Sequence, residues 1–228
     1  SKAMIPLTVR SYYSLMWGIR SPAAICAKAK KLGYTSLALT DTDNLYGLWP
    51  FLNHCKRHGL RPIVGAELTD PNSAARAVCL VEDAKGYANL CRLITRRHND
   101  LSFDLKKVLP NYAKGLVVLT QAGALLQGWH ESGVNVAGAI PRRPTGAALR
   151  LRQLSRRMGV PLVATPGSFF LTPADVSIHR MLRAIDLNTC LSRLSLKEAA
   201  PDDAWMARPD QYRTRFEIWP EVVAATHG

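Results

Sequence analysis

The stretch "GYTSLALTDTDNLYG", residues 33–47, decides the fold because it runs from a short apolar segment into an acidic turn. The apolar segment, 36–40, is short and almost continuous, which is typical of a strand buried on both faces. The residues before it, 21–33, and after it, 47–59, carry apolar side chains at helical spacing and end in glycine. The stretch therefore predicts a strand between two helices, which is the repeating unit of α/β proteins.

Seven apolar runs of this kind alternate with helical patterns along the chain. They lie at 7–10, 36–40, 61–65, 76–81, 116–120, 134–140 and 160–164. Such alternation favours a parallel α/β barrel or a doubly wound sheet. In both architectures the functional groups lie at the carboxyl ends of the strands, so the turns that follow the strands are the places to search.

Composition bounds the class of protein. The chain has 228 residues, 47% of them hydrophobic, and its five cysteines form no CxxC pair, so we expect a reduced chain with neither disulfides nor a thiolate zinc site. No apolar run reaches the roughly 20 residues of a membrane span and no export leader is recognisable, so we expect a cytoplasmic protein.

Lys and Arg total 30 against 17 Asp and Glu, a formal charge of +13. This excess favours a polyanionic partner, although a solubility surface or a missing acidic domain would also account for it.

Several motifs together resemble a known family. "VRSYYSLMWG", "GYTSLALTDTDNLYG", "GLRPIVGAEL", "GYANLCRLI", "GLVVLT", "GVPLVAT" and "LTPADVSIHRMLRAI" occur in the order and spacing of the PHP (polymerase and histidinol phosphatase) domain, over about residues 5–225. More narrowly, they resemble the version that opens the bacterial C-family DNA polymerases, the DNA polymerase III α subunit and its error-prone relatives. "GAEL", "CRLI" and "GLVVLT" lean toward the error-prone branch.

This resemblance implies a distorted seven-stranded (β/α) barrel of the PHP type, which we place at residues 4–186. Residues 187–228 are proline-rich, charged and poorly periodic, so we expect an extended tail or the lead-in to a further domain. The tail resembles the segment that leads toward the polymerase palm. We therefore expect the chain to be a fragment of a larger DNA-directed DNA polymerase, whose catalytic carboxylates lie beyond residue 228.

Active members of the family hold up to three divalent metal ions at the strand ends through His, Asp and Glu, and would use them to hydrolyse a phosphoester. In the first turn of this chain, Thr8 and Arg10 stand at the two histidine positions, and Trp17 stands at an aspartate position. In the second turn Asp41 is retained, but Thr42 replaces the histidine.

The later turns depart from the family pattern in the same way. Glu67 is retained after the third strand, but Arg76 replaces the histidine that opens the next strand. After the last strand, Gly167 and Phe169 stand where an aspartate and a histidine are expected. One Glu and one Asp cannot hold two or three metal ions, and arginine repels a divalent cation. We therefore expect no metal, no cofactor and no phosphoesterase activity.

Arg10 is the residue from which we draw the most specific hypothesis. Its guanidinium would take the space of the lost metals and pair with Glu67, with Asp41 as a further partner, because a buried carboxylate without a counter-charge is costly. The alternative is that Arg10 points into solvent.

The turn at 41–44, which includes Asp43, is either a weak cation site or a turn whose polar side chains bond their own backbone. For His179 we expect a structural role.

A second group of candidates is basic. We predict either contact with DNA phosphate or an acidic polymerase surface, or simply a solvated face, for Arg142, Arg143, Arg150, Arg152, Arg156 and Arg157.

Three functions remain open. The first is a metal-free PHP domain that serves as a structural and interaction module of a polymerase in DNA replication or repair, with the remaining polymerase domains, DNA backbone or a replication protein as partners. The second is a metal-dependent phosphoesterase with a reduced site at Asp41, Asp43 and Glu67. The third is a free-standing degenerate PHP protein that binds nucleic acid.

Overall fold

A computed structural model describes residues 2–142 and 145–228. In these residues, six strands form one sheet in the order of the chain: β1 (Ser36–Leu39), β2 (Arg61–Thr69), β3 (Arg76–Val81), β4 (Leu116–Thr120), β5 (Val136–Ile140) and β6 (Leu162–Ala164). β1 and β2 pair in parallel, as do β4, β5 and β6, whereas β3 runs antiparallel to both of its neighbours. Five strands therefore point one way and β3 points the other way.

This mixed sheet corrects the expectation that all strands are parallel. Only residues 70–75 separate β2 from β3, and a parallel connection needs a dozen or more residues to cross back over the sheet. β3 must therefore run antiparallel to β2.

The predicted strand at 7–10 forms only an isolated bridge, in which Val9 pairs with Ser168. The backbone around it is nevertheless bonded on both sides. Ala38 N donates to Pro6 O over 2.8 Å on the β1 side, and Arg10 N donates to Ser168 O over 2.9 Å beyond β6. The segment 6–10 therefore lies between the first strand and the residues that follow the last one.

Nine helices lie among the described residues, and the first two begin and end near the residues that the sequence indicates. They are α1 (Pro22–Lys31), α2 (Leu48–His58), α3 (Ala84–Asn99), α4 (Leu105–Val108), α5 (Gly123–Glu131), α6 (Gly146–Met158), α7 (Val176–Asp186), α8 (Pro209–Arg215) and α9 (Pro220–Ala224). The Ser21 side chain caps α1 by accepting a hydrogen bond from Ala24 N. Gly59 and Gly159 end α2 and α6 with φ of 63° and 70°, a conformation that glycine adopts without strain. In the part of the chain that the structure describes, no helix is both long and apolar enough to cross a membrane.

Residues 187–228, for which we expected an extended tail, contain helices that pack on the sheet. Tyr212, Phe216 and Trp219 are buried in the main hydrophobic core. The Tyr34 hydroxyl donates to Ala207 O over 2.6 Å, and Ile5 N donates to Thr226 Oγ1 over 3.0 Å. These residues are therefore part of the same packed body as the sheet.

Candidate functional site

A cleft of about 810 Å³ lies at the carboxyl ends of β2, β4 and β5. Six of the ten residues that the sequence predicted for a former metal cleft line it: Thr8, Arg10, Glu67, Arg76, Gly167 and Phe169. The other four, Trp17, Asp41, Thr42 and Asp43, are not among its lining residues. Parallel strands bring these distant turns together because their carboxyl ends meet at one edge of the sheet.

Glu67 lies at the centre of the contacts in this cleft. Its Oε2 accepts a hydrogen bond from Arg10 Nη2 at 2.6 Å, and the two side chains are only 9% and 8% exposed. Its Oε1 accepts from Thr42 Oγ1 at 3.3 Å and lies 3.5 Å from Arg76 Nη2. Burial alone would raise the pKa of Glu67, but Arg10 and Arg76 outweigh it and hold that pKa below its usual value. The predicted Arg10–Glu67 ion pair is confirmed.

The other face of Arg10 contacts the turn that follows β6. The Arg10 guanidinium carbon lies 4.4 Å from the centroid of the Phe169 ring, a cation–π arrangement. A Cβ at Gly167 would lie 3.3 Å from the Phe169 ring and 3.8 Å from Arg10 Nη1. The absence of a side chain at this position therefore leaves space for the contact between Arg10 and Phe169. Thr8 Oγ1 donates to Pro166 O over 2.9 Å. Arg10 and Phe169 are thus packed against each other, and Thr8 is bonded to the same turn.

Asp41 is bonded to the first turn instead of to Arg10. Its carboxylate accepts hydrogen bonds from Ser11 N, Ser11 Oγ and Ser14 Oγ, each over 2.7 Å. Burial raises the pKa of Asp41 even though these hydrogen bonds oppose the shift. Sequence reasoning missed Ser11 and Ser14; their Ser-x-x-Ser spacing in the turn after the first apolar run was the available indication. Among the described contacts, Asp41 has none with Arg10, so the hypothesis of a second ion pair was wrong.

The rest of the acidic turn shapes the backbone. Asp43 Oδ1 accepts from Thr69 N at 2.9 Å, and Asp43 Oδ2 lies 3.7 Å from Arg97 Nη2. Asn44 Oδ1 accepts from Tyr46 N over 3.1 Å, the bond to its own backbone that the turn interpretation predicts. Asp43 instead bonds to the end of β2.

An aromatic cluster packs between Phe169, which lines the cleft, and α7. Trp17 and Phe169 lie with their ring centroids 5.7 Å apart, and the Arg183 guanidinium carbon lies 4.0 Å from the centroid of Trp17. His179 Nδ1 is 2.8 Å from Trp17 O, and its Nε2 accepts from Ala200 N at 2.8 Å. Because Nε2 accepts, the proton is on Nδ1, and burial lowers the pKa of His179. His179 therefore has the structural role that we expected.

The predicted basic residues separate into three groups. Arg142 lines the cleft and bonds Asp203 Oδ1 over 3.3 Å. Arg152 is used within the fold, since its Nη2 donates to Glu221 over 2.7 Å and its guanidinium carbon lies 4.6 Å from the Trp219 ring centroid. Of the predicted basic residues, α6 exposes Arg150, Arg156 and Arg157. Arg143 lies outside the described residues.

The residues present do not fit a centre of two or three metal ions. Within 2–142 and 145–228, no three His, Cys, Asp or Glu side chains are grouped as metal ligands would be. The oxygens of Glu67 are bonded to Arg10 and Thr42, and those of Asp41 to serine hydroxyls and a backbone amide. A metal ion would have to displace these donors and accept Arg10 as a neighbour, which is electrostatically unfavourable.

The profile of the PHP domain matches residues 6–151 of this chain. The chain belongs to the PHP family. Its relatives come from both polymerase branches that the sequence indicated. It is 29% identical over 244 residues to the error-prone DNA polymerase of Anaeromyxobacter sp. (strain K), an alignment that covers 96% of this chain and 21% of that protein. It is 31% identical over 290 residues to the DNA polymerase III subunit alpha of Chlamydia trachomatis, which covers 97% of this chain and 23% of that protein.

This PHP chain therefore spans about a fifth of the length of the curated relatives that it matches. Solved structures agree on the fold. An amidohydrolase from Chromobacterium violaceum superposes with a TM-score of 0.52 at 16% identity, over 74% of this chain and 87% of that one. A two-domain protein from Bacteroides vulgatus, described as containing a predicted PHP-like metal-dependent phosphoesterase, gives 0.52 at 12% identity, over 72% of this chain and 52% of that one.

Proposed function

We propose that this chain is a metal-free, catalytically inactive PHP domain that acts as a structural and interaction module of a bacterial DNA polymerase of the polymerase III α or error-prone type. The relatives support the polymerase context, since this chain aligns over nearly its whole length with a fifth of each polymerase. The partners would be the remaining polymerase domains, and the parent enzyme would work in DNA replication or repair.

The observation that carries the proposal is the set of contacts around Glu67. Arg10, Thr42 and Arg76 occupy positions where the family pattern has histidines, and all three contact this one carboxylate. A guanidinium supplies the positive charge that a metal ion would otherwise bring to a buried carboxylate. Arginine remains charged at any physiological pH, so the Glu67 carboxylate is neutralised without a metal.

The proposal extends to the architecture. The segment 6–10 would take the place of the seventh strand of the family barrel, since it bonds to β1 on one side and to Ser168 on the other. Residues 4–186 would form the barrel. Residues 187–228, whose helices pack on it, would lead toward the polymerase domains.

Metal content and phosphatase activity test this function. We expect the purified chain, after equilibration with Mn²⁺ or Zn²⁺ and removal of free ions, to carry no stoichiometric metal by mass spectrometry and to hydrolyse no chromogenic phosphate ester. Glu67→Ala is the matched control, because it removes the retained carboxylate. Stoichiometric metal together with turnover that Glu67→Ala abolishes would replace our proposal with the reduced phosphoesterase site.

A further inference from the structure

The two ends of the sheet differ in the helix termini that they carry. β1, β2 and β6 all point toward the cleft, so the helices that precede them, α1, α2 and α6, end at the opposite edge. From Arg61 to Glu67 along β2 is six residues, or about 20 Å at the usual rise of a strand. This opposite edge is therefore well separated from the candidate site.

The three helices end on this edge, and the strands that follow them are close to one another in the sheet. Arg61 N donates to Thr35 O over 2.8 Å, which joins the loop after α1 to the start of β2. The segment 6–10 bonds to β1 through Ala38 N and to Ser168, four residues beyond β6, through Arg10 N. The end of α6 therefore follows the end of α1, with only this segment between their strands.

Seven basic side chains are exposed on these three helix ends and at the start of β2. We call them the basic edge: Lys30, Lys31, Lys56, Arg57, Arg61, Arg156 and Arg157. None of the seven lies within ion-pair distance of a carboxylate among the described residues. The reason is visible in the sequence, since α1, α2 and α6 contain no Asp or Glu. Glu82, Asp83 and Glu131 lie near this end but adjoin β3 and α5. Glu221 lies against α6, where it pairs with Arg152 over 2.7 Å and not with Arg156 or Arg157.

The helix dipole does not by itself account for this pattern. Cations are favourable in the last turn of any helix, and α3 also ends with basic residues. α3, however, ends at the cleft edge, where Arg97 lies 3.7 Å from Asp43 and Arg96 lies 3.5 Å from Asp100. The same kind of residue is thus paired at one end of the sheet and left unpaired at the other.

We propose that the basic edge binds the phosphate backbone of duplex DNA. Duplex DNA presents one negative charge about every 1.7 Å along its axis, so it can meet charges spread over several helix ends at once. The basic edge contains no aromatic side chain, which favours contact with phosphates over stacking on bases. The inference rests on the proposed function in one respect, namely that a polymerase module works beside duplex DNA.

Binding of a short labelled duplex of random sequence to the 228-residue chain tests this proposal. The variant K30Q/K31Q/R57Q/R156Q/R157Q removes five charges from the basic edge. Its matched control, R92Q/K106Q/R193Q/K197Q/R213Q, removes five exposed charges from elsewhere. We expect the basic-edge variant to bind at least about tenfold more weakly. The slope of log K against log salt should be smaller in magnitude by about 4.5, since each of the five lost phosphate contacts removes about 0.9. The control should bind like the unchanged chain.

Three results would overturn the proposal. They are equal weakening by both variants, no duplex binding by the unchanged chain at low salt, and binding to polyglutamate or phosphatidylserine vesicles but not to duplex. The last result would assign the edge to an acidic protein or a membrane. Circular dichroism and thermal melting of both variants check that they fold. Because metal content is measured separately, failure of DNA binding leaves the test of the metal-free function intact.

Discussion

Arg10 and Glu67, which are 57 residues apart in the chain, form a buried ion pair of 2.6 Å in the cleft. A buried pair of this kind adds little net stability relative to a hydrophobic pair of the same shape, because both charges lose their hydration. Breaking it is costly, because one charge then remains buried alone. The effect on stability of a substitution at Arg10 therefore depends on which residue is present at position 67, and the reverse also holds.

We expect Arg10→Met to lower the free energy of unfolding by about 3–5 kcal/mol. Glu67 would keep Thr42 and the more exposed Arg76 as partners, which are insufficient to replace a buried guanidinium. The double variant R10M/E67Q should lose less stability than R10M alone, since it leaves no buried charge. Urea unfolding at neutral pH measures both, and a double variant less stable than R10M would contradict this account.

Gly18 should tolerate no side chain. A Cβ at this position would lie 1.8 Å from Ser11 O, inside the turn that holds Asp41. We expect Gly18→Ala to cost about 2–3 kcal/mol through backbone displacement. Gly128→Ala is the control, because Gly128 lies inside α5 with its nearest neighbour at 4.0 Å. That change should raise the melting temperature, since alanine favours a helix over glycine by about 0.5–1 kcal/mol.

His179 gives the fold a pH dependence with a defined sign. Burial lowers the pKa of His179 in the folded chain. As the pH falls below the usual value of about 6.5, His179 therefore binds a proton more readily in the unfolded chain than in the folded chain. The stability contributed by neutral His179 is full above that pH and is lost as the pH falls toward the folded-state pKa. His179→Gln should flatten the dependence of the unfolding free energy between neutral and mildly acidic pH. An unchanged slope in the variant would show that another group is responsible.

Trp219 tests whether the last forty residues belong to the fold. It is 3% exposed, whereas its neighbour Ile218 is 70% exposed. Trp219→Ala should cost about 3–5 kcal/mol of unfolding free energy, and Ile218→Ala should change it by less than about 0.5 kcal/mol. Chemical denaturation with a single transition in the unchanged chain supports one packed body. Equal, small effects at both positions would mean that this region is peripheral.

The fold was largely predictable because strand and helix leave different periodic patterns. The Ser21 cap and the glycine stops are local, so their sequence positions suffice. The direction of β3 was missed because apolar runs carry no direction; the short connection at 70–75 was the informative feature. The packing of residues 187–228 was missed because their buried residues are divided between two short helices and the irregular segments beside them, which give no periodic pattern.

The site was predictable where a buried charge restricts which side chain can be its partner. A buried Glu67 needs a cation, and Arg10 follows from that requirement. The Asp41 contacts were not predictable in the same way, because a carboxylate can be satisfied by hydroxyls and amides as well as by a cation. Only the path of the backbone through Ser11 and Ser14 decides among these donors.

The hydrogen bond between Ile5 and Thr226 joins residues that are 221 positions apart. A ribosome that adds 5–20 residues per second needs about 11–44 s to travel that distance. The segment before β1 therefore waits for its partner while residues 6–225 are made, whereas the units around α1, α2 and β2 can form sooner. This body consequently closes after its local units have formed, and contacts of such long range also slow refolding in vitro.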